Sequence, residues 1–165
     1  AAYLGGVMSQ ALETTLKYLR TRKQFGRTIG SFQALQHRAV DLFIQHELAA
    51  AVIADALSAI ESPDAEHRTL LAGRAIYRAG VAARAITREA IQMHGAIGFT
   101  YECDIGHYLN RAMVLSARQG NAAVRVRQLG ALLRRTGANG PNEGFTGKGT
   151  ADTADGHWQQ RDPGT

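Results

Sequence analysis

The sequence predicts an all-α fold: an up-and-down four-helix bundle with a short extra helix and a disordered C-terminal tail. Three observations carry that prediction. Alanine and leucine outnumber valine and isoleucine, which favours helix over sheet. Apolar residues recur at spacings of three and four along several long stretches. Glycine and proline separate those stretches by short loops, and long helices on short loops close most simply as a bundle.

The first helix is expected over residues 3 to 22, with Leu4, Val7, Met8, Ala11, Leu12, Thr15 and Leu19 at helical spacing. Gly5 and Gly6 inside it weaken the helix and imply close approach of another backbone. Gly26 and Gly30 break the pattern. A second helix is expected from about Ser31 to Ile60, burying Leu35, Ala39, Leu42, Ala49, Ile53 and Leu57. Ser62-Pro63-Asp64 signals the start of a third, with a cap candidate before proline at the first helical position. That helix spans about Pro63 to Met93, and Ala72, Ala75, Ala79, Ile86, Ala90 and Met93 share a face. A short helix follows from about Cys103 to Ala112. The last runs from about Asn121 to Leu133, with Val126, Leu129 and Leu132 or Leu133 inward. No segment reads as a strand. The domain is therefore placed at residues 1–135 and the tail, rich in Gly, Thr, Asp and Asn, at 136–165.

Composition narrows the function classes. The chain has 165 residues, 45% of them apolar, enough for one domain with its own core. A single cysteine, Cys103, excludes an internal disulfide and a multi-cysteine zinc site, so a cytoplasmic setting is the default. No apolar run approaches the roughly 20 residues needed to span a bilayer. The net charge of +5 comes mostly from arginines spread over helices, with clusters at Arg20 to Arg27 and Arg125 to Arg135. Solvated helix faces account for most such runs, and a phosphate-bearing small ligand is the next reading. Nucleic acid is disfavoured, because no aromatic interleaving or reader motif accompanies the charge. The opening Ala1-Ala2-Tyr3-Leu4 reads as mid-helix, so a piece of a longer protein is expected.

Several motifs fail on inspection. His46-Glu47-Leu48-Ala49-Ala50 begins like a zinc-protease helix but has Ala50 where the second histidine must stand. Gly147-Lys148-Gly149 has neither a strand before it nor a helix after it, so it is no phosphate loop. Gly95-Ala96-Ile97-Gly98 has the spacing of a KH-domain loop without its basic residues or flanking strands. No Ser-His-Asp or Cys-His constellation can be argued from spacing.

Two segments stand out. Arg22-Lys23-Gln24-Phe25-Gly26-Arg27, continuing through Phe32-Gln33-Ala34-Leu35-Gln36-His37, packs three cations, two aromatics and three amides into a helix junction. Such a junction suits an anionic, hydrogen-bonding partner. The other is Gln92-Met93-His94-Gly95-Ala96-Ile97-Gly98-Phe99-Thr100-Tyr101-Glu102. Phe25 and Phe32 also read as core anchors beside a turn, Gln33, Gln36 and His37 as a polar seam, and His94 as a cation at a helix C-terminus.

In this order and at this separation, the two segments resemble the acyl-CoA dehydrogenase family. The resemblance covers roughly Ala2 to Leu133, the family's C-terminal all-helical domain, and Tyr3-Leu4-Gly5-Gly6 looks like its first helix. It implies FAD as cofactor and an acyl-CoA substrate for the whole protein. In the family the Arg-x-x-Phe-Gly and Gln-x-x-Gly-Gly segments come from different subunits and close over the adenylate half of FAD. Carried over, Arg22, Gln24 and Phe25 meet the pyrophosphate and adenosine, Phe32 and Gln33 lie beside them, and Gln92, His94, Gly95 and Ala96 contribute from a neighbouring subunit. Ala96 replaces the family's second glycine. A homo- or hetero-oligomer, a tetramer or dimer of dimers, is implied.

The family reaction, α,β-dehydrogenation of an acyl-CoA thioester, needs a carboxylate to take the α-proton. Many members place it before a Gly-Thr pair. Here Gln119 occupies that place, and no Asp or Glu occurs between Asp104 and Glu143. A glutamine amide takes no proton at neutral pH. Three explanations stay open: a base upstream, a non-catalytic half of a hetero-oligomer, or flavin binding for another reaction. The leading expectation is a domain of a flavoenzyme, inactive in isolation and self-associating through apolar faces. The alternative is a helical oligomerisation module without chemistry.

Overall fold

A computed structural model describes residues 1–100, 102–118, 120 and 122–135, and the expected tail at 136–165 lies outside them. Five α-helices make up the described chain: α1 (Ala2–Thr21), α2 (Gln33–Ser58), α3 (Ala65–His94), α4 (Ile105–Arg118) and α5 (Ala122–Arg135). The expected all-α fold is the one observed. Helix α3 is its axis and packs against α1, α2, α4 and α5. Its buried positions are mostly small, including Ala75, Ala79, Gly80, Ala82, Ala83 and Ala90, so neighbouring helices approach closely. Leu4, Met8, Ile86 and Ile105 fill the spaces between them. The buried hydroxyls of Thr15 and Thr87 each donate at 2.7 Å to a carbonyl one turn back, Ala11 and Ala83 respectively.

The stripe expected on α1 is the buried one, residue for residue. Gly5 and Gly6 differ from expectation. A Cβ at Gly5 would meet only the tip of Ile53 at 3.4 Å, and one at Gly6 would meet open space. On α2 the core residues are Leu42, Ala49 and Ile53, with Leu35 and Ala39 packed at the margin. Leu57 is exposed, because the last turn of α2 carries its apolar residues, Ile60 after it, to solvent. Ala72 and Val126 are exposed as well. Helix α5 meets α3 where a Cβ on Gly73 would fall 2.7 Å from Leu129 Cδ2, so Leu129 uses the space that the glycine leaves.

The start of α3 corrects the sequence reading. Its cap is Asp64, two residues after Ser62, and the Asp64 carboxylate accepts from the backbone N–H groups of Glu66 at 2.9 Å and His67 at 3.0 Å. Ser62 Oγ instead accepts from the Asp64 N–H at 3.3 Å. An ionised carboxylate at a helix N-terminus gains from both the unpaired N–H groups and the dipole, which a hydroxyl does not match. Helix α4 runs to Arg118, past the expected Ala112, because no glycine or proline interrupts the chain between Gly106 and Gly120.

The junction between α1 and α2 holds the one departure in element type. Lys23–Gln24 (β1) and Arg27–Thr28 (β2) pair antiparallel, Lys23 with Thr28 and Gln24 with Arg27. Phe25 and Gly26 form the two-residue loop with φ of 53° and 77°, the conformation of a type I′ turn. A 3-10 turn, Ile29–Ser31, follows and lies against the end of α1. A Cβ on Gly30 would sit 2.8 Å from the Leu19 carbonyl oxygen, so only glycine allows that approach.

Two outcomes follow. Gly30→Ala is expected to lose about 1–3 kcal/mol in urea denaturation, because backbone rather than a movable side chain blocks the methyl. The hydrogen bonds from His67 and Glu66 hold the Asp64 carboxyl below its usual pKa. Its cap is therefore complete above the ordinary aspartate range and is lost as pH falls through the lowered value. Asp64→Asn keeps a capping oxygen and is expected to remove that part of the acid sensitivity, read by helicity against pH.

Candidate functional site

The hairpin that ends α1, the N-terminus of α2 and the C-terminus of α3 meet at one end of the bundle. Tyr18 fastens α1 to α3 there. Its ring stacks on His94 at 4.3 Å between centroids, and its hydroxyl donates to the His94 carbonyl at 3.3 Å. The hairpin is fixed by its backbone. The Arg22 N–H donates to Tyr18 O and the Arg22 carbonyl accepts from Ile29 N–H, both at 2.8 Å. Ser31 Oγ donates to Thr28 O at 2.7 Å and Gln36 Nε2 to Gly30 O at 3.0 Å, closing the loop onto α2.

This scaffold turns polar and aromatic groups outward. Arg22, Lys23, Gln24, Arg27 and Gln33 are exposed, and none of the three cations forms an ion pair among the described residues. Phe25 is 90% exposed, which removes the reading of it as a core anchor. It meets Phe32 edge-on at 6.1 Å, and the Arg27 guanidinium lies 4.1 Å over the Phe32 ring. Phe32 is half-buried and is also the residue before α2, so that helix begins with no side-chain cap and no acid in its first turn. Its positive dipole end therefore follows directly on a hairpin whose three cations form no ion pair among the described residues. Anions are favoured there.

The second segment is at the end of α3. Gln92 and Ala96 are exposed, and Gly95 has φ of 66° with nothing within 4 Å of where a methyl would stand, so its backbone lies open. His94 is different. Its side chain is buried, with Nδ1 2.7 Å from Ala90 O. What this corner offers a ligand is therefore amide and backbone, with the imidazole turned inward as a clasp. Gln119 and Tyr101 lie outside the described residues, and Glu102 is exposed. No group of three or more His, Cys, Asp or Glu residues among the described ones could hold a metal.

One grouping carries no sequence signal at all. Ser9, His46 and Glu47 are joined by hydrogen bonds between α1 and α2. Ser9 and His46 are 37 residues apart, and the local pattern around His46 points only to a metal-ligand motif that fails.

Comparison with known proteins supplies the family. Residues 1–133 match the acyl-CoA dehydrogenase C-terminal domain. The chain belongs to the acyl-CoA dehydrogenase family. It is 43% identical over 107 residues to the acyl-CoA dehydrogenase IpdE2 of Mycolicibacterium smegmatis, a match covering 65% of this chain and 32% of that one. In solved structures it superposes on a variant of the Tcur3481–Tcur3483 steroid ACAD with a TM-score of 0.77 at 30% identity, covering 82% of this chain and 37% of the other. It also superposes on the ChsE4–ChsE5 complex of Mycobacterium tuberculosis, TM-score 0.74 at 27% identity, covering 81% and 36%. The chain thus spans about a third of the length of these relatives. Members of the acyl-CoA dehydrogenase family are FAD-dependent flavoproteins.

Phe25 is the position where conformation and exposure conflict. A bulky residue at positive φ is costly, and an exposed ring recovers little by packing. Phe25→Asn, suited to the first loop position of a type I′ turn, is expected to raise stability by about 1 kcal/mol in chemical denaturation. An unchanged or lowered midpoint would show that the ring contributes more to the fold than its exposure implies.

Proposed function

We propose that this chain is the C-terminal helical domain of an FAD-dependent dehydrogenase of acyl-CoA thioesters, and that its hairpin end binds the adenylate half of the cofactor. The observation that carries this reading is the conjunction of Arg22, Lys23 and Arg27, which form no ion pair among the described residues, a strained and solvent-facing Phe25, and an α2 N-terminus without a side-chain cap. These residues fit a dinucleotide. Arginine can bind a pyrophosphate oxygen pair in a bidentate manner, free helix N–H groups add donors, and an exposed ring can cover a purine. Arg22 and Gln24 are assigned to the pyrophosphate, Phe25 to the adenine, and Phe32 and Gln33 to its margin. Gln92 offers its side-chain amide, and Gly95 and Ala96 offer open backbone, to the cofactor on a neighbouring subunit's hairpin, and His94 holds that corner in place through Tyr18. FAD would supply the acceptor for the hydride that leaves the substrate β-carbon.

The proton-accepting carboxylate is assigned outside this domain. With Gln119 at the usual position and no acid between Asp104 and Glu143, the domain has no base to offer in that stretch. We place the chain in a two-chain assembly in which base and cofactor surface are divided, a reading supported by the paired proteins named in the Tcur3481–Tcur3483 and ChsE4–ChsE5 structures. The exposed Val40, Ile44 and Leu48 along α2 suit a subunit interface. A cytoplasmic setting belongs to the same proposal, on the strength of the lone cysteine. No described helix is long and apolar enough to cross a membrane.

The whole protein, purified with any co-encoded partner, is expected to carry FAD. Arg22→Ala, removing a charge-assisted contact, is expected to weaken FAD binding about 10- to 100-fold, measured by flavin fluorescence on titration. A flavin-free assembly that reduces no dye with any acyl-CoA would overturn the reading in favour of a purely structural helical module.

A further inference from the structure

Ser9 Oγ lies 2.8 Å from His46 Nε2, and His46 Nδ1 lies 2.8 Å from Glu47 Oε1. A carboxylate can only accept, so in the neutral ring Nδ1 carries the proton and donates to Glu47. Nε2 is then the acceptor, and the Ser9 hydroxyl donates to it. Ser9 Oγ also lies 3.1 Å from the Gly5 carbonyl, a longer alternative for the same proton. The order acid, imidazole, hydroxyl is that of an activated nucleophile. Ser9 and Glu47 are exposed, whereas the His46 side chain between them is only 20% exposed.

The group opens onto a groove of about 490 Å³ between α1 and α2. Leu12, Leu16 and Phe43 give it an apolar wall, Glu13 and Glu47 line it as well, and Lys17 and Arg20 stand further along α1. Lys17 is eight residues beyond Ser9, roughly 12 Å along the helix. The groove thus presents a nucleophile beside apolar surface, with cations at a distance that suits a phosphate on an extended leaving group.

We propose that Ser9 is an acyl-acceptor site, taking the acyl group of a thioester whose thiol carries phosphate. Ser9 Oγ bonds to the carbonyl carbon as the C–S bond breaks. The hydroxyl proton passes to His46 Nε2 and then to the departing thiolate, leaving an O-acyl serine and a free thiol with no change of oxidation state. Ser9 sits inside α1, where the neighbouring N–H groups are spent on the helix ladder, so no backbone pair is free to hold the oxyanion. Transfer is therefore slow and the ester accumulates in place of turning over. The inference stands on α1 and α2 alone and does not rest on the flavin reading.

The test uses the whole protein with acetyl-CoA and, separately, p-nitrophenyl acetate, followed by intact mass and peptide mapping. One acetyl group per chain on the Ser9 peptide is expected, with a burst of one equivalent of nitrophenol. Ser9→Ala should abolish it. His46→Gln, which keeps a hydrogen-bonding side chain, should slow it about 100-fold, in the range of a lost general base. Glu47→Gln should slow it less and provides the check if His46→Gln alters the fold, which helicity and melting temperature would report. Acetylation confined to Lys17 or other amines, no adduct at all, or an unchanged rate in His46→Gln and Glu47→Gln would each overturn the proposal.

Discussion

The hairpin end of this bundle depends on one contact, the stack of Tyr18 on His94. Helix α1 ends one turn beyond Tyr18, and the hairpin starts at once. Helix α3 ends at His94, and its open corner starts at Gly95. Both segments are polar, exposed and short of packing of their own. Their relative position is set by a buried ring pair, a hydrogen bond from Tyr18 to the His94 carbonyl, and the Nδ1 contact that fixes the imidazole on Ala90. A protonatable side chain is a costly choice for a core unless its polar atoms have partners. Here Nδ1 is partnered by the Ala90 carbonyl of the helix end itself, so burial of His94 and the shape of the corner are one feature.

The hairpin follows the opposite logic. The fold would be better served by Asn at position 25 and by acids in the first turn of α2. The chain has instead a ring at positive φ, three cations without ion-pair partners and a helix start without a cap. Each is a small loss in stability, and all three occur within a dozen residues on one surface. Strain and exposed charge persist when a ligand compensates for them, and under the proposed function that ligand is anionic and partly aromatic. A dinucleotide meets that description.

The helices are legible in the sequence because their period is long and their buried faces are continuous. The α1 stripe from Leu4 to Leu19 is the plainest case. The third helix begins later than its pattern implies because Ser62 and Asp64 are both good caps, and only the geometry shows that the carboxylate reaches two N–H groups. The strands are illegible because two residues have no period, and because Phe-Gly lacks the chemistry that marks a type I′ turn. Candidate site residues on contiguous segments, such as Arg22 to Phe25 and Gln92 to Ala96, are visible as dense clusters. That His94 turns inward is not visible, since helix phase near a terminus is fixed by what packs against it. Ser9 and His46 are beyond reach for a plainer reason: their proximity is a property of how α1 lies on α2.

The absent carboxylate is consistent with these features. An acyl-CoA dehydrogenase site needs a base in an apolar cleft, where desolvation raises its proton affinity. It also needs a cationic, wet surface for the cofactor's phosphates. The two demands oppose each other electrostatically: a carboxylate placed near Arg22, Lys23 and Arg27 would be held ionised and less basic by the same field that attracts the phosphates. Distance resolves the conflict. A chain that leaves residues 105–142 free of acids, and spreads six arginines from Arg111 through Arg135, carries net positive charge over that stretch. In the two-chain reading, base strength is set on one surface and phosphate binding on another, and neither has to be weakened for the other.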